Sequence, residues 1–338
     1  MGKITLQVIA DKLNISKNTV SKALRGMPGV SDELRRNIIQ IAEELGYLKN
    51  SSNNGVQGDI QVNITLVCRK EFFNEASFWS QVFFGIMDYS GKNNNISIRT
   101  ITVDKDEKTY SALNFTSMPC DGYLVVGTIS DELLLKINET GLPMVVVDFY
   151  NNEIECDYVN TANSRGIYKA VKYLYENNHA RIGFISNREG AYSFSQRYEA
   201  YLKYMKHFDL PTNEKYIWLD AVYEDTQYYK DKMQKLYSQP DFPTAWICVN
   251  DNTALAFYNA LKEMNISVPD DISIIGFDNI ASIFTPFLTT IEVPRKAIGQ
   301  RAVEQLMHRI NNPNEPYVSI QINTTLVERS SVKKLVSC

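Results

Sequence analysis

Residues 4–24 read ITLQVIADKLNISKNTVSKAL, and the rest of the chain can be organised around that stretch. Ile9, Ala10 and Leu13 recur on one side of a helix running from Leu6 to Leu13. Thr5 can cap its start. Asn14 and Ile15 break it, and Ser16 can accept the free N–H groups of a second helix, Lys17 to Leu24. In the second helix Val20, Ala23 and Leu24 point inward, which leaves Lys17, Asn18, Ser21, Lys22 and Arg25 outside. Ala10 lets the two helices cross closely. Two short helices joined by a tight turn, the second polar and basic on its outer face, read as a helix-turn-helix.

A third helix follows the turn Gly26-Met27-Pro28-Gly29. Ser31 caps it, and Asp32 and Glu33 complement its N-terminus. Leu34, Ile38, Ile41, Ala42 and Leu45 form the apolar stripe, and Gly46 stops it. Residues 1–50 hold eight Lys and Arg against five Asp and Glu, whereas the whole chain carries a net charge of −4. Positive charge is therefore gathered on this small unit, as contact with phosphates requires.

A chain of 338 residues has room for this head plus one large or two medium domains. A hydrophobic content of 44% and a charged content of 22% place it among ordinary soluble proteins. Cysteines 68, 120, 156, 248 and 338 show no CxxC spacing and read as reduced thiols. Met1 leads at once into the first helix, so no signal peptide is expected. No apolar run approaches membrane-spanning length. The expected setting is cytoplasmic, with no membrane partner.

From residue 61 strands alternate with helices. Strands are expected at Val62–Cys68, Ile96–Val103, Gly122–Val126, Met144–Val147 and Tyr158–Val159. Helices are expected at Phe78–Lys92, with Phe83, Ile86 and Met87 inward, at Tyr110–Met118 and at Asp131–Glu139. A second unit of the same kind follows. Its helices are at Asn163–Asn177, Ser195–His207, Gln227–Ser238 and Asp251–Met264. Its strands are at Arg181–Ile185, Tyr216–Leu219, Ala245–Val249 and Ile272–Phe277. A helix at Pro294–Ile310 and strands at Tyr317–Ile322 and Leu326–Glu328 finish the chain. Two such units with crossovers near 161, 292 and 325 predict an α/β, two-lobed, periplasmic-binding-protein-like core of parallel sheets flanked by helices, behind a small all-α head. The expected division is a head over 1–49, a linker over 50–60 and a core over 61–338. Lobe one takes about 61–161 plus 293–324, and lobe two about 162–292 plus 325–338.

The run from Thr5 through Val20-Ser21-Lys22-Ala23-Leu24 and Val30-Ser31 to Ala42-Glu43-Glu44-Leu45-Gly46-Tyr47 resembles the head of the lactose-repressor (LacI/GalR) family of bacterial transcriptional regulators. The resemblance continues through His179-Ala180-Arg181-Ile182-Gly183-Phe184, Val268-Pro269-Asp270-Asp271-Ile272-Ser273, Gly276-Phe277-Asp278 and Leu326-Val327-Glu328-Arg329-Ser330-Ser331, so it spans nearly the whole chain. It implies that the second helix lies in the major groove of an operator. Lys17, Asn18, Ser21 and Lys22 would then face base edges. Asn18 suits adenine, and Lys17 or Lys22 suits guanine O6 or N7. Thr5, Ser16, Thr19, Ser31 and Tyr47 would hold phosphates. The resemblance also implies a hinge helix that wedges a side chain into the minor groove, with Val56 at the matching place. Here that segment reads Asn-Ser-Ser-Asn-Asn-Gly-Val-Gln-Gly-Asp, which disfavours helix. It is either a weak hinge that orders on DNA or a plain tether.

In a two-lobed core the ligand binds between the lobes, at the carboxyl ends of the strands. Asp148 follows the fourth strand, Asp278 ends the Ile275-Gly276-Phe277 strand, Asn250 ends the Trp246 strand and Tyr223 follows the Trp218 strand. Phe78 and Trp79 match positions that line the cleft in the resembled family, and Arg197 matches an arginine that reaches the ligand from the second lobe. Its planar fork suits vicinal hydroxyls or a carboxylate. An acid on each lobe with one arginine points to a hydroxyl-rich effector, a sugar or sugar derivative. Asp251 and Trp246 read as structural.

Enzyme readings find no support. His179, His207 and His308 have no metal-ligand spacing, and there is no HExxH, GxGxxG, Walker or GxSxG pattern, so neither metal nor cofactor is expected. The expectation is a homodimeric regulator, most simply a repressor, reading a near-palindromic operator. Alternatives are a core that answers to a partner protein, and a sugar-uptake binding protein, which the helix-turn-helix disfavours. Val332–Cys338 lacks a leucine heptad, so a dimer is expected over a tetramer. Induction and co-repression both remain open.

Overall fold

The computed structural model describes residues 5–24, 29–45, 47, 61–74, 78–93, 95–104, 119–188, 191–222, 225–280 and 286–336. The sequence-predicted hinge with Val56, the helix at 110–118, Tyr223, Arg25 and the Gly46 stop lie outside these residues.

The head holds α1 (Leu6–Leu13), α2 (Lys17–Leu24) and α3 (Asp32–Glu44). Asn14 closes α1 in the left-handed region at φ 53°, which a short polar side chain tolerates. Ile9, Ala10, Val20, Ala23, Val30, Ile38 and Ala42 form one core. Thr5 sits at the N-cap of α1, but its side chain makes no capping bond.

The core runs β1 (Val62–Arg69), α4 (Glu71–Asn74), α5 (Trp79–Lys92), β2 (Ile96–Val103), β3 (Gly122–Val126), α6 (Asp131–Asn138), β4 (Met144–Val147), β5 (Asp157–Thr161), α7 (Asn163–Glu176), β6 (Ile182–Ile185) and α8 (Tyr192–His207). It continues through β7 (Ile217–Trp218), α9 (Thr226–Leu236), β8 (Ala245–Cys248), α10 (Asp251–Glu263), β9 (Ser273–Asp278), β10 (Thr289–Glu292), α11 (Arg295–Asn311), β11 (Ser319–Ile322) and β12 (Thr325–Val327). The first sheet is ordered β11-β5-β4-β3-β1-β2 and the second β12-β10-β9-β8-β6-β7. Position for position the two orders correspond, so β4 matches β9 and β3 matches β8.

All strand pairs named within the two sheets are parallel except β10 with β12. The exception follows from the crossovers. Strands β5 and β10 each cross to the other sheet through a helix, which returns the chain to the far end before the next strand. Between β11 and β12 stand only Asn323 and Thr324. The chain therefore enters the second sheet at the strands' carboxyl end and runs backwards.

On the first sheet α5 and α11 cover one face, with Val82, Ile86, Ile298, Ala302 and Leu306 in one cluster with Ile64, Leu66, Leu124 and Val145. Helix α6 covers the other with Leu133, Leu134 and Ile137. The α5–α11 crossing is held close by glycines. A Cβ on Gly85 would strike the Lys296 carbonyl, and one on Gly299 the Val82 carbonyl. Met87 is not inward as expected. It is 48% exposed, because the α11-facing side of α5 already belongs to Val82, Phe83 and Ile86. On the second sheet Trp246 is fully buried with Trp218, Tyr229 and Phe257, as a sheet-face residue. His179 is also structural. Its ring nitrogens bond Thr244 Oγ1 at 2.8 Å and the Lys333 carbonyl at 2.9 Å, tying the C-terminal segment to the second lobe.

Candidate nucleic-acid interface and ligand cleft

On the head, Lys17 and Asn18 are exposed at the start of α2, and Lys22 and Thr19 are half-buried. Ser16 caps the helix, its Oγ accepting from the Thr19 N–H at 3.0 Å and pairing with the Thr19 hydroxyl at 2.8 Å. Ser31 caps α3 by accepting from the Leu34 N–H at 3.3 Å. Tyr47 packs against the head core. Ser21 departs from the expectation. It is 7% exposed, turned into the head and unavailable to a base edge. Helix α2 is gripped by α1 on one side and α3 on the other, which widens its buried arc beyond the single stripe that periodicity predicts.

In the core, two strand ends and α8 bring three of the expected residues into one buried arrangement. Asp148, just past β4, adopts φ 59°, and Asp278, at the end of β9, adopts φ 98°. Non-glycine residues in that region carry backbone strain and concentrate at functional sites. Arg197, on the inward face of α8, is 1% exposed. Its Nη2 donates to Asp278 Oδ1 at 2.9 Å, its Nη1 to the Val249 carbonyl at 2.7 Å and its Nε to Asn163 Oδ1 at 2.9 Å. Its guanidinium lies 3.7 Å from the centroid of the Phe277 ring. Asp148 accepts from the Thr161 hydroxyl at 2.9 Å. Burial pushes the Asp148 carboxyl up to about 6, and the Arg197 charge only partly offsets this.

Asp251 is structural as expected, but the cap of α10 is Asn250. Asn250, with extended backbone at φ −151°, is the N-cap of α10 and accepts from the Thr253 N–H at 2.9 Å. That bond commits its side-chain oxygen to the helix. Asp251, the first helical residue, accepts from the Thr290 hydroxyl at 2.6 Å and the Ile280 N–H at 2.9 Å, and burial lifts its carboxyl to about 7. Trp79 opens α5, stacks on Phe72 at 4.5 Å and meets Phe78 edge-on at 5.0 Å. Both Phe78 and Trp79 are buried. Trp79 and Phe72 sit beside Gly127, past the end of β3, where a Cβ would strike the Phe72 ring.

Sequence reasoning missed the segment that links the two halves of this arrangement. Thr161 and Asn163 flank the first crossover, and they hold Asp148 and Arg197 respectively. From Asn163 the bonding continues. Its Nδ2 donates to Gln196 Oε1 at 2.8 Å, and Gln196 Nε2 donates to the Tyr192 hydroxyl at 3.2 Å. Tyr192, first residue of α8, packs against the first lobe's α6-side cluster. A polar crossover after an apolar strand was the signal available; no periodicity marks such residues.

Among the described residues no group of three His, Cys, Asp or Glu side chains could hold a metal ion. No described helix is long and apolar enough to cross a membrane.

A helix-turn-helix head followed by a two-lobed, periplasmic-binding-protein-like core is the architecture of a DNA-binding transcription regulator. Residues 5–50 match the model for bacterial regulatory proteins of the lacI family, and residues 171–332 that for the periplasmic binding protein-like domain. The chain is 30% identical to the HTH-type transcriptional repressor PurR of an Escherichia coli strain, over 97% of this chain and 96% of that one. It is 28% identical to the ribose operon repressor of Haemophilus influenzae, over 98% and 99% of the two chains. The solved structure of the transcriptional regulator CelR with cellobiose superposes with a TM-score of 0.70 at 21% identity, covering 97% of this chain and 100% of that chain. The chain belongs to the lacI family of bacterial regulatory proteins.

Proposed function

We propose that this chain represses transcription as a homodimer on a near-palindromic operator, under control of a sugar or sugar derivative bound between its lobes. The observation that carries this reading is the pairing of Asp148 and Asp278 at matching strand ends, around Arg197, in a chain headed by a helix-turn-helix. Carboxylates and an arginine fork recognise hydroxyls by charge-assisted bonds. The relatives named as repressors, and a fold-mate solved with cellobiose, support the same reading.

The head over 1–49 reads the operator. Lys17, Asn18 and Lys22 meet base edges, and Thr5, Ser16, Thr19, Ser31 and Tyr47 meet the backbone. Ser21 leaves the readout set because of its burial. Val56 serves the minor groove. The dimer forms through the first lobe, where Phe84 and Met87 stand about half exposed on α5. Such side chains suit a self-complementary two-fold interface. The ligand, held by Asp148, Arg197 and Asp278 with Phe78, Trp79, Tyr223 and Asn250 around it, acts through its different affinity for two lobe arrangements.

Selection of operators from random duplex DNA tests the head. The expected product is an inverted repeat with half-sites roughly one helical turn apart. Asn18→Ala is expected to lose about 1–3 kcal/mol of discrimination at one base pair without loss of folding. Unchanged preference in that variant would remove Asn18 from base readout, and enrichment of a single half-site would contradict the dimer.

A further inference from the structure

We propose that the interlobe cleft takes an uncharged polyhydroxylated ligand, a neutral sugar, and rejects the phosphorylated and acid forms of the same sugar. This rests on the cleft being the effector site. The argument is a charge inventory. Asp148 and Asp278 are both buried, one on each lobe, and the Arg197 guanidinium is paired with Asp278. A ligand carboxylate or phosphate grips arginine best through two parallel N–H bonds. Three of the five Arg197 N–H donors serve the protein: one on Nη1 bonds the Val249 carbonyl, one face of the group lies on Phe277, and the side-on edge made by Nε and Nη2 serves Asn163 and Asp278. An anion could take that edge only by displacing Asn163 or Asp278.

The neighbouring cations are also committed to the second lobe's floor. Arg295 donates to the Asn279 carbonyl at 3.3 Å, and Arg329 to Asn279 Oδ1 at 2.8 Å and the Leu288 carbonyl at 2.6 Å. A new negative charge between two buried carboxylates would meet repulsion unscreened by water. Hydroxyl donors fit instead. An ionised carboxylate has about four acceptor sites. The bonds to Thr161 and Arg197 therefore leave acceptor capacity on both acids for a diol.

Thermal unfolding of the full chain at pH 7.5 against matched pairs tests this. The pairs are D-ribose with ribose 5-phosphate, D-glucose with glucose 6-phosphate and D-glucuronate, cellobiose with cellobionate, and a set of purine bases stands beside them. The expected result is a rise of about 5 °C with at least one neutral sugar at saturation, and none with its charged counterpart. In Asp148→Asn the gap within that pair is expected to narrow. A charged member that stabilises as well as its neutral partner overturns the charge inference and leaves the sugar reading standing. Stabilisation by a purine base alone, or by nothing in the panel, overturns both.

Discussion

Asp148 and Asp278 occupy the same place in two sheets of the same strand order, both in left-handed backbone, yet their surroundings differ. Asp278 has Arg197 against it at 2.9 Å. Asp148 has the neutral Thr161 hydroxyl and distant charge, and its carboxyl rises to about 6. The second lobe thus carries a finished anchor, while the first lobe carries an acid whose compensation is incomplete. Under the proposed function, ligand hydroxyls would give Asp148 the donors it lacks.

The largest effect should come from breaking the anchor. Arg197→Ala leaves Asp278 buried without its partner and is expected to destabilise the core by about 3–5 kcal/mol, read by chemical denaturation. Next is Asp148→Asn. Burial lifts this carboxyl from 3.8 to about 6, so the folded chain holds its proton more tightly than the unfolded chain. The ionised group therefore opposes folding increasingly as pH rises across that interval. Replacing it should raise stability at pH 7.5 by roughly 1–3 kcal/mol, with little change at pH 4. A variant no more stable than the parent at pH 7.5 would mean that Asp148 is as well compensated as Asp278. Thr161→Val, which removes the hydroxyl donor alone, should cost about 1 kcal/mol above pH 6.

The smallest effect concerns how each lobe holds the end of the chain. In the first lobe Arg309 clamps Asp157 at 2.8 Å, and Asp157 accepts from the Val318 N–H at 2.8 Å. In the second lobe His179 plays the corresponding part, and burial lowers its pKa below 6.5. Its neutral form is the one that fits, so its contribution is complete above pH 6.5 and is lost as pH falls through the lowered value. The protection factors of residues 331–335, which correct hydrogen exchange for its intrinsic pH dependence, are expected to fall between pH 7 and pH 5.5 in the native chain and to be insensitive to pH in His179→Gln. Equal acid sensitivity in both would place the cause elsewhere.

The alternation of strands and helices, the crossovers near 161, 292 and 325, and the acids at strand ends were legible because each leaves a local pattern. What escaped notice depends on neighbours distant in sequence. Asn163 matters because Arg197, one helix, one strand and a loop later, points its Nε at it. Ser21 is buried because a third helix packs on a face that two-helix periodicity leaves open. Met87 is exposed because α11 meets α5 on one side only. Asn250 took the capping role because the chain is still extended there, a backbone fact no residue type announces. Trp79 was readable as an aromatic at a helix start, but its stack on Phe72 beside Gly127 was not.

The most direct test of the account is a crystal structure of the chain with whichever sugar raises its melting temperature. The account predicts a ligand between the lobes, with one hydroxyl donating to Asp148 and another to Asp278, and Arg197 still bonded to Asn163. A ligand that touches one lobe only, or lies away from both acids, would contradict it.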